Sequence, residues 1–371
     1  RGSVEVFATQ VLRAKPLEVT TPTAVVGVRG TQYRVNFDDA PNRSTRTGVI
    51  EGAVRFDSSS APVGADVASG FGAALDASAA PPAVVKLLPA PDLAAVPALF
   101  ERPLVRFGLA NEVQPLRIQV ASDTAFDKIV LDQRIEPGTE VRLAGLSDAT
   151  WQLRARRIDA LGIDGFDAVR SFVLKARPEP PAPTQPRRGA KQTVGTVDFG
   201  WAQNTEAASQ RLQIARDADF KEMLLDRQAV AGTSVRIELP DAGAYFWRLA
   251  SIRPDGDAGP FGDPLTFELR AVPEPPKGGV APDGTSLVFS WSGRPQDRQQ
   301  VELARDPEFR NIVASAELGA TEWVLPRPEA VGEYFFRYRS VEPDGFVSAY
   351  SATLRTEITR DWRSMWLLLL P

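Results

Sequence analysis

The sequence predicts an all-β protein with three tandem β-sandwiches behind a shorter N-terminal β domain. A strand ending in Asp-x-x-Phe occurs three times, at Asp123, Asp217 and Asp306. Apolar and polar residues alternate in each copy, which is the pattern of a half-buried strand. A second strand motif carries an arginine at Arg154, Arg248 and Arg337. The steps between copies are 94 and then 89 residues for both motifs, so the chain is predicted to be a tandem array.

Composition narrows the function classes. The 371 residues are 43% hydrophobic and 24% charged, with a net charge of −4, which indicates a globular protein without a nucleic-acid partner. The absence of Cys excludes disulfides, zinc fingers and thiol nucleophiles, and the absence of His removes the commonest general base. We therefore expect no enzyme activity, no cofactor and no metal site. A hydrolase using carboxylates, Lys, Tyr or Ser is the disfavoured alternative.

Proline-rich joints predict the domain boundaries. Runs such as Arg177-Pro-Glu-Pro-Pro favour semi-rigid polyproline spacers. The predicted domains are residues 1–86, 87–177, 178–272 and 273–360, followed by an apolar tail at 361–371. Residues 58–89 are rich in Ala, Ser, Gly and Pro, and predict either a linker or loose strands that finish the first domain.

The two ends of the chain suggest a fragment of a longer protein. Arg1 opens a strand already under way, with no initiating Met or signal peptide. The apolar stretch Trp362–Pro371 has about half the roughly 20 residues that a membrane helix needs. It predicts either a segment covering the end of the last domain or the first turns of a membrane helix.

Each repeat predicts about seven short strands in about 90 residues, which is typical of a β-sandwich. By alternation, paired residues on an early strand and on a later strand form the two inner faces. These pairs are Phe107 and Leu109, Phe199 and Trp201, Phe289 and Trp291, Trp151 and Leu153, Tyr245 and Trp247, and Tyr334 and Phe336.

The Asp-x-x-Phe motif predicts a structural turn. Its carboxylate is expected to accept backbone N–H groups one or two residues on, while the Phe folds back onto the core. The predicted structural residues are Asp123, Phe126, Asp217, Phe220, Asp306 and Phe309. A calcium site is the alternative, but each copy has too few acidic neighbours at the required spacing.

The repeated arginines are the candidate interaction residues. Arg154, Arg248 and Arg337 alternate with core aromatics, so they are expected to point into solvent with their stems on apolar surface. A ligand-binding ladder is the alternative if the copies align. Tyr245 and Tyr334 predict tyrosine corners, and Trp151, which has no hydroxyl, predicts that the first copy lacks one.

The N-terminal region resembles the FecR family. The stretch Thr20-Thr-Pro-Thr-Ala-Val-Val-Gly-Val-Arg-Gly-Thr-Gln-Tyr-Arg-Val35, followed by Val49-Ile-Glu-Gly-Ala-Val54, is similar to the closing half of a FecR domain. Gly27 and Gly30 are expected to permit a tight turn, and Arg29 is a candidate contact residue. The three repeats resemble immunoglobulin-like or fibronectin type III-like sandwiches.

The resemblance implies an extracytoplasmic protein of a Gram-negative bacterium, in the periplasm or at the cell surface. We expect a non-enzymatic envelope scaffold or sensor ectodomain that binds an envelope protein. A LysM module outside this chain would tether it to peptidoglycan, and membrane contact is expected only through the tail. The alternatives are a carbohydrate-binding or adhesion module, favoured by exposed aromatics, and a FecR-type signal transducer.

Overall fold

The computed structural model describes residues 2–7, 17–28, 32–39, 43–76, 80–109 and 111–360. Within these ranges the chain folds into 32 β-strands without an α-helix, so the predicted all-β class is confirmed. None of the described segments is a helix with the length and apolarity for crossing a membrane. The chain divides into two compact units, Arg1–Arg177 and Pro178–Pro371.

The first unit begins with a domain that has nine strands among its described residues. Its strands are β1 (Gly2–Phe7), β2 (Leu17–Thr20), β3 (Ala24–Val28), β4 (Gln32–Asp38), β5 (Ser44–Glu51), β6 (Ala53–Ser58), β7 (Gly64–Ala68), β8 (Phe71–Leu75) and β9 (Ala83–Lys86). They form one sheet in the order β1-β4-β5-β8-β9 and another in the order β2-β3-β6-β7. Of the two alternatives for residues 58–89, the structure therefore has strands β7 to β9 as part of this domain.

The core of this domain follows from alternation along its strands. Val26, Tyr33 and Phe56 are fully buried between the two sheets. Gly27 lies inside strand β3, opposite Glu18 and Arg55. The expectation that Gly27 forms a tight turn is wrong, and Arg29 and Gly30 lie outside the described residues.

The first sandwich completes this unit. Its strands are β10 (Leu99–Phe100), β11 (Val105–Phe107), β12 (Leu116–Ala121), β13 (Ile129–Ile135), β14 (Val141–Leu143), β15 (Ala149–Arg157) and β16 (Ala168–Leu174). One sheet has the order β10-β16-β15-β12-β13, and β11 pairs with β14 in the other.

The second unit contains the other two sandwiches. The second sandwich consists of β17 (Pro183–Gln185), β18 (Ala190–Thr193), β19 (Gly195–Trp201), β20 (Ser209–Ala215), β21 (Met223–Val230), β22 (Ser234–Leu239), β23 (Gly243–Ile252), β24 (Ala258–Phe261) and β25 (Leu265–Arg270). The third consists of β26 (Lys277–Val280), β27 (Ser286–Ser290), β28 (Arg298–Ala304), β29 (Ile312–Leu318), β30 (Glu322–Pro326), β31 (Gly332–Val341) and β32 (Leu354–Ile358). Their larger sheets run β18-β25-β23-β20-β21 and β29-β28-β31-β32.

The aromatics expected on the inner faces do form the cores. In the second sandwich Phe199 lies edge-on to Trp247, with ring centroids 5.2 Å apart, and Tyr245 stacks on Phe267 at 5.3 Å. Such pairs contribute about 0.5–1.5 kcal/mol each beyond the area they bury. The repeated arginines Arg154, Arg248 and Arg337 lie on the opposite, outer face of each sheet.

Candidate interaction surfaces

Each Asp-x-x-Phe motif is a turn that the Asp carboxylate closes against the backbone. Asp123 Oδ1 accepts the N–H of Asp127 at 2.9 Å, and its Oδ2 accepts the N–H of Lys128 at 2.8 Å. Asp217 and Asp306 accept bonds from the same two positions of their own copies. These donors lie four and five residues after the Asp. The expected offset of two residues is also found, because the N–H of Asp219 donates to Asp217 Oδ1 at 2.9 Å. The backbone donors lower the pKa of all three carboxyls.

The Phe of each motif covers an arginine on the outer face of the sheet. The guanidinium-to-ring distances are 4.2 Å for Arg154 and Phe126, 3.9 Å for Arg248 and Phe220, and 3.8 Å for Arg337 and Phe309. All three rings are more than nine-tenths buried, yet none belongs to a sandwich core. The expectation that the Phe folds onto the core is wrong. The two repeated motifs therefore contact each other within each copy.

The second and third repeats add another ring to this stack. Arg248 lies 4.3 Å from the ring of Phe261, and Arg337 lies 3.8 Å from the ring of Tyr350. Each guanidinium is thus held between two aromatic faces, a favourable arrangement for a cation. The equivalent position in the first repeat is Asp167, by the offsets of 94 and 89 residues. The first repeat therefore has a carboxylate where its two copies have a ring.

The corner hydrogen bond is present in all three repeats, with a tyrosine in the second and third and a tryptophan in the first. The hydroxyls of Tyr245 and Tyr334 donate to carbonyl oxygens four residues upstream, at 2.6 and 2.8 Å. In the first repeat Trp151 Nε1 donates to the carbonyl of Ser147 at 2.9 Å, also four residues upstream. The expectation that the first copy lacks this bond is wrong, because the indole N–H replaces the phenol.

Arg154 is buried, and the expectation of a solvent-exposed side chain is wrong for it. Its side chain is 7% exposed and lies 3.1 Å from Glu5 of the N-terminal domain. Glu5 also contacts Arg34 and Arg156, each at 3.0 Å. Asp167 contacts Arg156 and lies 2.8 Å from Arg34. We call Glu5, Arg34, Arg154, Arg156 and Asp167 the buried ion cluster.

A second set of ion pairs continues from the buried ion cluster. Arg117 lies 2.6 Å from Asp132 and 2.9 Å from Asp164, whose side chain is 5% exposed. Asn36 of the N-terminal domain donates to Asp164 at 3.2 Å. Buried charges need such partners, because removing one leaves an uncompensated charge. The N-terminal domain and the first sandwich are thus joined by matched charges.

The groups of the buried ion cluster shift one another's pKa values. Burial alone would raise the pKa of Glu5, but the positive charges of Arg156, Arg34 and Arg154 outweigh burial and lower it. Burial lowers the pKa of Arg34. Glu5 is therefore ionised at neutral pH.

Close backbone packing accompanies the ion pairs. A Cβ on Gly72 would lie 2.6 Å from Ile163, and a Cβ on Gly165 would lie 2.6 Å from the carbonyl oxygen of Leu88. Both distances are too short for a side chain. Glycine at position 72 lets the first sandwich approach the N-terminal domain, and glycine at position 165 makes room for the segment that follows β9.

A third cluster lies between the second and third sandwiches. Glu342, with its side chain 7% exposed, lies 2.8 Å from Lys191, 2.6 Å from Arg270 and 2.6 Å from Arg294. Lys191 and Arg270 belong to the second sandwich, whereas Glu342 and Arg294 belong to the third. One carboxylate therefore joins cations of both sandwiches, and it borders a cavity of about 500 Å³.

The sequence predicted Arg154, Arg248 and Arg337 as candidate interaction residues. It did not predict the aromatic rings and carboxylates that contact them. Alignment of the three copies with one another would have indicated the buried ion cluster, because the first copy has charged residues where the second has uncharged ones. Arg156 is replaced by Ala250 in the second copy, and Asp167 by Phe261. A repeat with charges where its copies have other residue types indicates a partner particular to that repeat.

Comparison with family models shows what the first 55 residues are similar to. The model of the family described as FecR protein matches residues 1–55. The N-terminal domain is FecR-like. This confirms the resemblance drawn from Thr20–Val35. A comparison with curated protein sequences gave no match.

Solved structures similar to this chain include fibronectin modules. The fibronectin(III)-like modules of Clostridium thermocellum CbhA are 11% identical, with a TM-score of 0.27, covering 48% of this chain and 93% of that chain. The FN1–FN3 domains of chicken CNTN1 are 13% identical, with a TM-score of 0.28, covering 66% and 91%. Since both TM-scores are below 0.5, the sandwich assignment rests on the strand pairing described above.

Proposed function

We propose that this chain is a non-enzymatic scaffold or sensor ectodomain of the bacterial envelope that binds another envelope protein. Its FecR-like domain supports the envelope location, because FecR domains belong to extracytoplasmic proteins. Tethering to peptidoglycan through a module outside this chain is part of the same proposal.

The buried ion cluster is the observation that carries the proposal. A domain on a flexible tether reorients freely, whereas a large interface fixes it. Here Arg34 of the FecR-like domain and Arg156 of the first sandwich share the carboxylates of Glu5 and Asp167. These buried ion pairs therefore hold the FecR-like domain and the first sandwich in a fixed arrangement, as a scaffold requires.

The carbohydrate-binding alternative has less support. Glycan sites on sandwiches use exposed aromatic rings. The rings found on the outer sheet faces, such as Phe220 and Phe309, are covered by arginines instead. Among large apolar residues of the described ranges, Phe71 is the one strongly exposed aromatic.

Cross-linking in the native bacterium tests the proposal. The intact protein carries an epitope tag, cells are treated with a membrane-permeant cross-linker, and the envelope and cytoplasmic fractions are separated. We expect the protein in the envelope fraction, cross-linked to a defined protein. Recovery in the cytoplasm, or binding to a glycan array with no protein cross-link, contradicts the proposal.

A pair of variants links the result to the structure. Arg156→Ala breaks the buried ion cluster and is expected to reduce the cross-linked product. Arg236→Ala removes an exposed pair with Asp198, where both side chains are more than half exposed, and is expected to leave it unchanged.

A further inference from the structure

The smaller sheet of the first repeat is one strand short. In the second and third repeats this sheet has three strands, in the orders β17-β19-β22 and β26-β27-β30, whereas in the first it consists of β11 and β14. Strand β26 pairs antiparallel with β27 from Leu287 to Ser290, and β17 pairs with the end of β19. Among the described residues of the first repeat, no strand pairs with the corresponding edge of β11. Its backbone groups there are open to another strand.

The chain that leads into the first repeat is bound to the other sheet. The carbonyl of Ala98 accepts the N–H of Val173, and the carbonyl of Phe100 accepts the N–H of Lys175, both at 2.8–2.9 Å. These bonds attach the chain to β16 and the residue after it. Within the described part of the chain, no backbone hydrogen bond joins the residues before β11 to β11 itself. The first repeat therefore does not supply its own third strand.

The outward-facing charges on this sheet also set the first repeat apart. Arg106 of β11 lies directly opposite Arg142 of β14. The corresponding opposed residues are Asp198 and Arg236 in the second repeat, which form an ion pair at 2.7 Å, and Val288 and Val324 in the third. Arg142 has an ion pair of its own with Glu140 at 2.8 Å. Arg106 is exposed and has no carboxylate partner among the described residues. Since like charges directly opposite one another are destabilising, an anion beside Arg106 is favoured.

A cavity of about 580 Å³ lies beside Arg106. Its lining is apolar at Leu99, Phe100 and Leu104 and carries the charges of Glu101, Arg102 and Arg106. Leu99 is 52% exposed, so apolar surface here faces solvent. Two guanidinium groups and one carboxylate leave the lining positive by one charge. The cavity therefore suits an apolar group that lies next to an acidic one.

We propose that β11 is a docking edge, at which an extended segment of a partner protein pairs antiparallel and takes the place that β26 fills in the third repeat. There Gly279 lies opposite Val288, so the partner residue in that place lies opposite Arg106. An acidic residue at that point pairs with the arginine, and an apolar residue near it fills the cavity. Strand addition to a free edge is a recurring mode of peptide recognition. The inference rests on the proposed function, because the segment belongs to the envelope partner.

Two model peptides test the chemistry of this edge on the full chain. One short capped peptide alternates valine with glutamate, and the other alternates valine with lysine. By fluorescence anisotropy we expect the glutamate peptide to bind at least about tenfold more tightly, although the net charge of the chain is −4. Arg106→Glu should reverse this preference, and Arg106→Lys should keep it. A preference that Arg106→Glu leaves unchanged overturns the proposal, as does a wild type that does not bind the glutamate peptide.

The third repeat supplies the matched control. Val288→Arg places an arginine at the position that corresponds to Arg106, on an edge where Gly279 of β26 is already paired. We expect this variant to bind one glutamate peptide per chain, as the wild type does. A second bound peptide would mean that surface charge alone attracts the peptide, and docking at the free edge of β11 would have to be given up.

Hydrogen exchange locates the bound peptide. With the glutamate peptide bound, we expect slower exchange in β11 and no change in β19 or β27. Slower exchange confined to another strand contradicts docking at β11. Sedimentation velocity identifies a competing occupant, because a wild-type dimer that the peptide dissociates would place a second copy of this chain on the edge and overturn the proposal.

Cross-linking in the bacterium separates this inference from the proposed function. Arg106→Glu should lose the cross-linked product of the wild type, and Arg106→Lys should retain it. A product that survives Arg106→Glu overturns docking at β11 and leaves the proposed function in place. A wild type without any cross-linked product overturns the proposed function, and the peptide titration then decides whether β11 is a docking edge.

Discussion

At the scale of single residues, the stack of Arg248 on Phe220 joins the turn to the sheet. Phe220 has φ of 58°, a left-handed conformation that costs a non-glycine residue about 1–2 kcal/mol. The Asp217 carboxylate holds the turn in this conformation through its backbone bonds. The ring then lies 3.9 Å from the guanidinium and is almost fully buried. The strain at Phe220 is therefore offset by the contact it makes.

Two substitutions at Phe220 separate these effects. Phe220→Ala removes the ring but keeps the left-handed strain, and we expect a loss of about 3 kcal/mol in the free energy of unfolding, as for a buried aromatic. Phe220→Gly also removes the ring but relieves the strain, so it is expected to be about 1 kcal/mol more stable than the Ala variant. Urea unfolding measures both. A Gly variant less stable than the Ala variant would contradict this account.

The corner bonds predict a matched pair of losses. Tyr245→Phe removes the hydroxyl that donates to Asp241, and Trp151→Phe removes the indole N–H that donates to Ser147. Each leaves a carbonyl without that donor, so each is expected to lower the free energy of unfolding by about 1 kcal/mol. Because Trp151→Phe also loses apolar volume, Trp151→Met serves as its second reference. Equal stability of wild type and Tyr245→Phe would show that the corner contributes nothing.

The acidic turns should not respond to calcium. The carboxylate oxygens of Asp123, Asp217 and Asp306 already accept backbone N–H groups, which leaves few lone pairs for a cation. We expect the melting temperature to be the same in millimolar calcium as in EDTA. A rise of several degrees with calcium would contradict this expectation.

At the scale of strands, alternation was enough to place the cores. Trp247 and Tyr245 point inward because residues two apart on a strand share a face, and this needs no knowledge of neighbours. The face of the sheet on which Phe220 lies could not be predicted in this way. Phe220 itself has a left-handed conformation, which breaks the alternation of faces. The burial of Arg154 was likewise hidden, because it depends on Glu5, which is 149 residues away in the sequence.

Strand β31 and the turn that follows it predict a pH response through Glu342. Burial alone would raise the pKa of this carboxyl, but hydrogen bonds from Arg270 and Lys191 outweigh burial and hold it below 4.5. A lowered pKa gives stability that is present above the unfolded value and lost as pH falls through the folded value. We therefore expect the second unit to lose stability progressively below pH 4.5.

Glu342→Gln tests this response. The variant should be less stable than wild type at pH 7, because Arg270 and Lys191 lose their shared anion. The stability difference between the two proteins should shrink as pH falls below 4.5, measured by urea unfolding at each pH. A difference that stays constant with pH would remove Glu342 as its source.

At the scale of the first unit, the buried ion cluster makes the FecR-like domain and the first sandwich depend on each other. Glu5→Ala leaves Arg34, Arg154 and Arg156 with one carboxylate fewer, and breaking such a buried pair costs about 3–5 kcal/mol. Hydrogen exchange should report faster exchange in β12 and β15 of the first sandwich and no change in β20 and β23.

An exposed pair provides the control for Glu5→Ala. Asp198→Ala removes a partner of Arg236 on the surface, where ion pairs contribute about 0–1 kcal/mol. It should leave exchange in β12 and β15 unchanged. Protection of β15 that survives Glu5→Ala would mean that the cluster does not join the two domains.

The charges that join neighbouring domains also bear on how such an array can evolve. Three copies of one module could in principle be shuffled, deleted or lengthened by recombination. Exchanging the first copy for the second would bring Phe261 to the place of Asp167, so Arg34 would meet a ring where it now meets an anion. The first copy thus carries charges that match the domain before it. Duplication of that copy would place its arginines beside a sandwich that has no carboxylate equivalent to Glu5. The buried positive charges would then lack a partner, and selection would act against longer arrays built from this copy.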